Sequence, residues 1–331
     1  MKFALLICTY NRKEPLEALL ESVKKQIIYP NEIIIVDGSI DNNTYDFIKA
    51  GDFLNLKYYK VGTKNRGLTK QRNYAVSKVS GSIDIVCFLD DDIILTKDYF
   101  KNLLETYSNY PKAIGVGGYI LEEVHWKHEN TSLKHSEFEM DGWVRELGSR
   151  NLLRKKLGLL SDRGPGFMPK FSNGLSIGFL PPSGKTYPVE YFMGGVASYR
   201  FLLLQKLRFS NYFEGYGLYE DLDFCIRASN LGDLYVNTAA KLYHYHDSSG
   251  RPNKYNYGRM VIRNGWYVWR LKYPDPGSKA VLKWHSISLL LTLVRLGNVF
   301  TTKNKKEAFT EGLGRIVGWF SLYINSPKIE K

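Results

Sequence analysis

Over its first hundred residues the chain alternates short unbroken apolar runs with stretches whose apolar positions recur at helical spacing. Residues 3–8, 32–36, 56–61 and 83–89 are apolar runs of strand length, while Leu16, Leu19, Leu20 and Val23 mark one face of a helix over 15–26. Further helices are predicted over 45–50, 70–79 and 97–108. Repeated strand–helix units with continuously apolar strands predict an α/β fold, Rossmann-like, with a mainly parallel sheet and helices on both faces. Such sheets bind ligands beyond the carboxyl ends of their strands. Three of the runs end in polar clusters, Thr9-Tyr10-Asn11-Arg12, Asp37-Gly38-Ser39-Ile40-Asp41 and Asp90-Asp91-Asp92, which should therefore meet in one crevice.

The pattern weakens over 121–185, where aromatic and charged residues mix with Gly/Pro punctuation; long loops with some antiparallel strand are expected. It sharpens again over 189–196 and 219–223, and a strand-like piece at 240–243 runs into His244. Two helical candidates follow. Between Lys283 and Arg295 lie 11 uncharged, Leu-rich residues, too few to cross a hydrocarbon layer of ~30 Å. Phe309, Leu313, Ile316, Val317, Phe320 and Ile324 recur at helical spacing. These stripes pack on the preceding body or lie in the plane of a membrane, where Lys303, Lys305, Lys306, Trp284, Trp319 and Tyr323 suit an interface.

Composition narrows the class without naming a function. With 331 residues, 44% hydrophobic and 24% charged, the chain has ample core and reads as a soluble globule. Its three cysteines lack metal-ligand spacing, and their odd number argues against a disulfide framework, so a reducing cytosol is expected. The apolar start at 3–7 is interrupted by Thr9-Tyr10-Asn11-Arg12 and reads as a first strand instead of a signal peptide. Residues 251–331 carry 15 Lys/Arg against four Asp/Glu, a net of +11 out of +13 for the whole chain. A near-neutral body thus bears a basic tail suited to an anionic partner. The expected organisation is a strand–helix half over 1–120, a less regular half over 121–250, and a basic helical extension over 251–331.

The aspartate triplet carries the chemistry. Adjacent like charges repel and resist desolvation, so a packed strand end does not collect three of them for stability. A divalent cation carrying a diphosphate removes the conflict, since Mg²⁺ and Mn²⁺ prefer hard oxygen ligands and share sites with phosphates. A solvated acidic turn, or an Asp capping the next helix, is the alternative.

In order along residues 3–246, the motifs Cys8-Thr9-Tyr10-Asn11-Arg12, Val36-Asp37-Gly38-Ser39, Asn65-Arg66-Gly67 with Arg72-Asn73, Asp90-Asp91-Asp92, Gly194-Gly195, Glu220-Asp221-Leu222-Asp223 with Arg227, and His244 resemble the family 2 glycosyltransferases, which have the GT-A fold. The resemblance implies a nucleotide-sugar-binding half over 1–120 and an acceptor-binding and catalytic half over 121–250. It also implies that Thr9, Tyr10, Arg12 and Asp37 line a nucleotide pocket, with Asp37 accepting from a uracil or thymine base. It implies that Asn65, Gly67 and Arg72 lie against the ribose and diphosphate, with Arg72 forking onto phosphate oxygens. Asp90 binds ribose or a neighbouring cation, Asp92 ligates Mg²⁺ or Mn²⁺, and Asp91 suits either role. His244 matches a third metal ligand, with His246 close enough to compete. Gly194 and Gly195 form an acceptor-side turn, and Asp223 falls beside it or pairs with Arg227 four residues on. Asp221 is the candidate base, kept ionised by a helix N-terminus, and Glu220 is the alternative.

Two departures stand out: Cys8 occupies a position usually held by a small residue or Pro, and Asp37-Gly38-Ser39-Ile40-Asp41 is one residue shorter than the usual turn. The absence of a long spanning bundle argues against a processive, polymer-extruding enzyme. The resemblance implies transfer of one sugar, with inversion, from a UDP- or dTDP-sugar onto a glycan or lipid-linked acceptor in cell-surface polysaccharide synthesis. The enzyme would be cytoplasmic and peripheral at the inner face of the membrane. A sugar-nucleotide nucleotidyltransferase is the competing enzyme, although a Gly-rich basic loop would then be expected after the first strand. A nucleic-acid-binding protein using the basic tail is the reading from another class; the tail interleaves its charges with Leu-rich stripes and has no nucleic-acid motif, so no nucleic acid is expected.

Overall fold

A computed structural model of the protein describes residues 1–128, 133–245 and 252–329. Along the chain run β1 (Phe3–Thr9), α1 (Lys13–Lys24), β2 (Glu32–Asp37), α2 (Asn43–Ala50), β3 (Leu56–Lys60), α3 (Leu68–Val76), β4 (Ile85–Asp90), β5 (Ile93–Leu95), α4 (Tyr99–Asn109), β6 (Ala113–Ile120), β7 (Lys127–His128), β8 (Glu137–Met140), β9 (Trp143–Glu146), α5 (Ser149–Lys156), β10 (Thr186–Val189), β11 (Val196–Arg200), α6 (Phe201–Lys206), α7 (Glu220–Ser229), β12 (Asp233–His244), α8 (Lys254–Lys272), α9 (Ser278–Gly297) and α10 (Lys305–Ile324). They form two compact units, one of residues 1–125 and 180–250, the other of residues 126–179 and 251–331.

The first unit is built on one sheet in the order β10-β12-β6-β11-β4-β1-β2-β3, with β5 pairing β12 off this path. Strands β1, β2, β3, β4, β6 and β12 point one way and β5, β10 and β11 the other. The central strands are the apolar runs of the sequence. Every residue of β2 is buried, as expected where helices cover both faces of a sheet. Leu16, Leu19, Leu20 and Val23 of α1 close one side of a core shared with Leu5, Ile7, Ile33 and Ile35 of the sheet. Register then fixes the functional end: Thr9 lies opposite Asp37 and Cys8 opposite Asp90, so the three polar clusters sit side by side.

The second unit holds a small antiparallel sheet, β7-β9-β8, together with α5 and the C-terminal helices. Its core is aromatic: Trp269 is fully buried, stacks on Trp284 at 5.6 Å between ring centroids, and donates its indole N–H to the Lys170 carbonyl at 3.0 Å. Helix α10 approaches α8 through small residues. A Cβ at Gly314 would fall 2.0 Å from the Tyr255 carbonyl oxygen, and one at Gly258 would fall 2.2 Å from that of Glu311. Glu311 joins Arg315 at 2.7 Å and Arg295 at 2.9 Å inside this packing. The sequence count from Lys283 to Arg295 understates α9. Folded, the helical stretch continues over Ser278–Phe300, 23 residues with mean hydropathy 1.2 over its most apolar window, long and apolar enough to cross a membrane by length and composition.

Because backbone oxygens cannot retreat as a flexible side chain can, Gly314→Ala is expected to overpack the α8–α10 contact. A loss of about 1–3 kcal/mol should appear as a lowered unfolding midpoint of the second unit in calorimetry.

Candidate active site

Beyond the ends of β1, β2 and β4, backbone and side chains tie the three loops together. Thr9 donates its hydroxyl to Asp91 at 2.7 Å, and Arg12 reaches Asp91 at 2.8 Å and Asp92 at 3.5 Å. Asp91 is 3% exposed; burial pushes its carboxyl up to about 6, with Arg12 and Thr9 pulling it back only in part. Asp90, the last residue of β4, and Asp92, in the turn that follows, face another side together. Asp37 lies under its own loop, fully buried, accepting from the Ser39 amide at 2.7 Å, the Ser39 hydroxyl and the Tyr58 hydroxyl at 2.6 Å. Asn11, at φ 53°, gives its amide to Ser39 and accepts from the Ile40 amide, locking loop to loop.

Asp90 and Asp92 share a side with His244. One ligand atom from each lies within 4.8 Å of the others. His244 arrives because β12 pairs antiparallel with β5, His244 opposite Ile93, and its Nε2 stands 3.1 Å from Asp92. Burial alone would lower the His244 pKa, but the hydrogen bond and charge of Asp92, with Asp90 and Glu123 behind, raise it on balance. Two carboxylates and an imidazole offer the hard-oxygen and nitrogen donors that Mg²⁺ or Mn²⁺ accepts. Space is kept for them by Gly195, where a Cβ would fall 2.1 Å from Asp90 Oδ2. The donor set fits a divalent ion.

On the far side of Asp90 stands a buried cluster joining α3 to α7. Arg72, 3% exposed, pairs with Glu220 and lies 3.4 Å from Asp90. Burial raises the Glu220 carboxyl against the pull of Arg72, and its Oε2 has no hydrogen-bond partner. Asp221 accepts the Leu222 amide at 2.8 Å and the Gly194 amide at 3.3 Å. Both amide bonds favour the ionised carboxylate. Burial outweighs those amide bonds, and the carboxyl is raised above the ordinary aspartate value. Tyr219, immediately before α7, sits at φ 71°, a left-handed conformation that costs a tyrosine strain.

Thr9, Arg12, Arg72, Asp90, Asp91, Asp92, Gly194, Gly195, Glu220, Asp221 and His244 are thus linked in one chain of contacts. Arg72 is turned onto carboxylates within this chain. Tyr10, half-exposed at the rim, lies under Arg66, whose guanidinium is 5.5 Å from the ring. Gly67, at φ 115°, starts α3 against the backbone of Gly215, and Asn65 ends a one-turn helix beside it. Asp223 is not brought to the cluster: it is 1% exposed and takes both Arg227 contacts, at 2.5 and 3.1 Å. His246 lies outside the described residues. The structure adds three residues that the motifs do not single out: Gln71, which is buried and donates to the carbonyls of Thr9 and Val36, Tyr58 and Glu123. For Gln71 the one available signal is its place on α3, a helix poor in apolar residues that must still pack on the sheet.

Substituting Gly195→Ala should displace the Asp90 carboxylate while leaving the sheet folded. The expected readout is weakened Mn²⁺-dependent nucleotide binding, by about tenfold or more, at an unchanged unfolding midpoint.

Comparison with known proteins gives the family and the fold. The model of the family described as Glycosyl transferase family 2 matches residues 4–191. The chain is 31% identical over 129 residues to a glucosyl-dolichyl phosphate glucuronosyltransferase of Haloferax volcanii, covering 37% of this chain and 39% of that protein. It is 33% identical over 110 residues to the O-antigen chain rhamnosyltransferase RfbN of Salmonella typhimurium, covering 33% and 34%. The matched stretch thus spans little more than a third of the length of either relative. Among solved structures, the mannosyltransferase PcManGT from Pyrobaculum calidifontis, in complex with GDP-Man and Mn²⁺, aligns with TM-score 0.54 at 15% identity over 98% of this chain and 88% of its own. TarS 1-349 of Staphylococcus aureus in complex with UDP aligns with TM-score 0.51 at 18% identity over 93% and 77%. At these identities the likeness is one of fold. With the family match extending over more than half of its length, the chain belongs to glycosyltransferase family 2 and has the GT-A fold.

Proposed function

We propose that this protein moves one sugar from a nucleotide diphosphate sugar, a UDP- or dTDP-sugar by preference, onto a hydroxyl of a glycan or lipid-linked acceptor. The observation that carries this reading is the convergence of Asp90 and Asp92, His244, and Asp221 around the side-chain-free turn Gly194-Gly195. Relatives act in the same chemical territory: their names specify a dolichyl phosphate-linked and an O-antigen acceptor. Solved neighbours of the same fold are complexes with UDP and with GDP-Man and Mn²⁺.

Asp90, Asp92 and His244 would hold a divalent ion, which when bound supplies positive charge to the departing diphosphate. Thr9, Tyr10, Arg12 and the 65–67 turn would line the nucleotide. A base N–H reaching Asp37 would share Oδ2 with the Tyr58 hydroxyl, since each carboxylate oxygen has two acceptor sites and Oδ1 already accepts both the amide and the hydroxyl of Ser39. Arg72 would act through Glu220 and Asp90, holding both in place. Asp221 takes the acceptor hydroxyl proton as the hydroxyl oxygen bonds to the anomeric carbon. The bond from that carbon to the diphosphate oxygen breaks, the nucleoside diphosphate leaves with the electron pair, and configuration inverts. Placement at the inner face of the membrane would bring the site to lipid-linked acceptors.

An ionised carboxylate is required for proton transfer to Asp221, so activity is present above its pKa and lost as pH falls through it. Because burial raises that pKa, the acid limb of kcat/KM should lie above the ordinary aspartate value of about 3.8. Asp221→Asn should lower kcat by about 10²–10⁴-fold with donor affinity unchanged, and the acid limb should disappear. A variant retaining kcat within about threefold would move the base to Glu220. Titration calorimetry of UDP, dTDP and GDP, with and without Mn²⁺, checks the donor site. One nucleotide should bind only with metal, and Asp92→Ala should weaken it by about a hundredfold. Metal-independent binding, or none, would remove the donor-site assignment.

A further inference from the structure

Helix α10 is turned inside out. Its outward positions are Phe309, Leu313, Val317, Phe320 and Ile324, with Phe320 57% and Ile324 88% exposed. Its buried positions include Glu311, Gly312, Gly314, Arg315 and Gly318, with the two charged residues paired to each other and Glu311 also to Arg295. A helix at a protein surface normally shows the reverse distribution. Helix α8 of the same unit obeys the rule: Asn256 and Arg259 face out and Ile262, Val268 and Trp269 are buried. Helix α9 buries Trp284, Ile287 and Thr292, yet it also exposes Leu282, Leu289, Leu293 and, just past its end, Phe300 along one stripe at helical spacing. Single exposed apolar residues are ordinary, but two stripes on consecutive helices are a surface that water does not favour.

Charge selects the occupant. The turn joining the two helices and the start of α10 expose Lys303, Lys305 and Lys306, and residues 251–331 carry a net of +11. A second copy pressed onto this surface would bring like charge against like. An anionic bilayer complements both features, accepting apolar side chains below its headgroups and lysines among them. We infer that the outward stripes of α9 and α10 dock this protein in the plane of a membrane containing anionic lipid. The close α8–α10 packing through glycine, with its charges folded inward, is the arrangement that frees the large apolar residues of α10 for lipid. This inference goes beyond the transfer reaction and does not depend on it.

Flotation of the full-length protein with phosphatidylcholine vesicles, with and without phosphatidylglycerol, tests the inference without reference to activity. The wild type should float with the anionic vesicles and be released from plain ones. Replacing Lys303, Lys305 and Lys306 together by Ser should lower partitioning by about a hundredfold. Phe320→Ser with Ile324→Ser should lower it at least about tenfold. All four side chains other than Lys303 lie on α10 and all five are exposed, so unfolding midpoints equal to the wild type are expected and confirm that each variant folds. Absence of flotation, or flotation indifferent to both sets of substitutions, would overturn the inference. So would a wild-type dimer, seen by sedimentation, that Phe320→Ser and Ile324→Ser dissociate while vesicle binding is absent.

Discussion

Carboxylates gathered at one end of a buried sheet repel each other and resist leaving water, and this constraint organises the first unit. Asp90, Asp91, Asp92, Glu220 and Asp221 approach from β4, the turn after it and α7, and each is answered differently. Asp91 is neutralised by Arg12 and tied to Thr9, so it serves as the beam on which the other two aspartates rest. Glu220 is held by Arg72, whose other contact is Asp90. Asp90 and Asp92 are left sharing a face with His244, where a divalent cation would complete the neutralisation. Two arginines therefore cover part of the negative charge permanently, closely at Asp91 and Glu220 and less closely at Asp92 and Asp90, on the side shared with His244.

The same constraint explains why the sheet mixes directions. A parallel β3-β2-β1-β4 half suffices to bring Thr9, Asp37 and Asp90 to a common edge. It cannot supply groups from the other side of the crevice. Antiparallel β11 begins at Val196, directly after Gly194-Gly195, and so carries that turn to Asp90. Strand β12 ends at His244 beside β5, which begins one residue after Asp92. Residues from beyond the parallel half thus reach the aspartates by strand pairing, the most rigid positioning device the fold has.

Elements made by local pattern were legible in the sequence; those made by distant partners were not. Strand β2 and helix α1 follow from a continuous apolar run and from Leu16, Leu19, Leu20 and Val23, and both formed within two residues of expectation. Strand β6 escaped because it contains three glycines, a composition that argues against a strand. Its glycines admit rings from elsewhere: a Cβ at Gly117 would meet Phe192 at 2.8 Å and one at Gly118 would meet the Tyr99 hydroxyl at 2.6 Å. The site shows the same division. Asp90 to Asp92 announced themselves by crowding, whereas the pairing of Arg72 with Glu220 spans 148 positions and no local signal predicts it. The surroundings of Asp221 divide the same way: the helix end beside it can be read locally, but the burial that raises its carboxyl depends on the whole fold.

Stability is given up in this molecule at identifiable places, and those places are the two for which a ligand is proposed. At the candidate active site Tyr219 is held in a left-handed conformation, and Glu220 keeps a buried oxygen without a partner. A fold selected for stability alone would relax the first and pair the second, since each costs on the order of 1–3 kcal/mol. In the second unit, α10 folds Glu311 and Arg315 inward and turns Phe309, Phe320 and Ile324 outward, forgoing the burial that would otherwise hold it. Local rules fail at both sites in ways that packing elsewhere does not repair. The strained helix start at α7 presents Asp221 toward the Gly194-Gly195 turn, and the inverted face of α10 presents apolar side chains to solvent. Each departure is where a proposed ligand would supply an interaction: a sugar acceptor at the first, a lipid surface at the second.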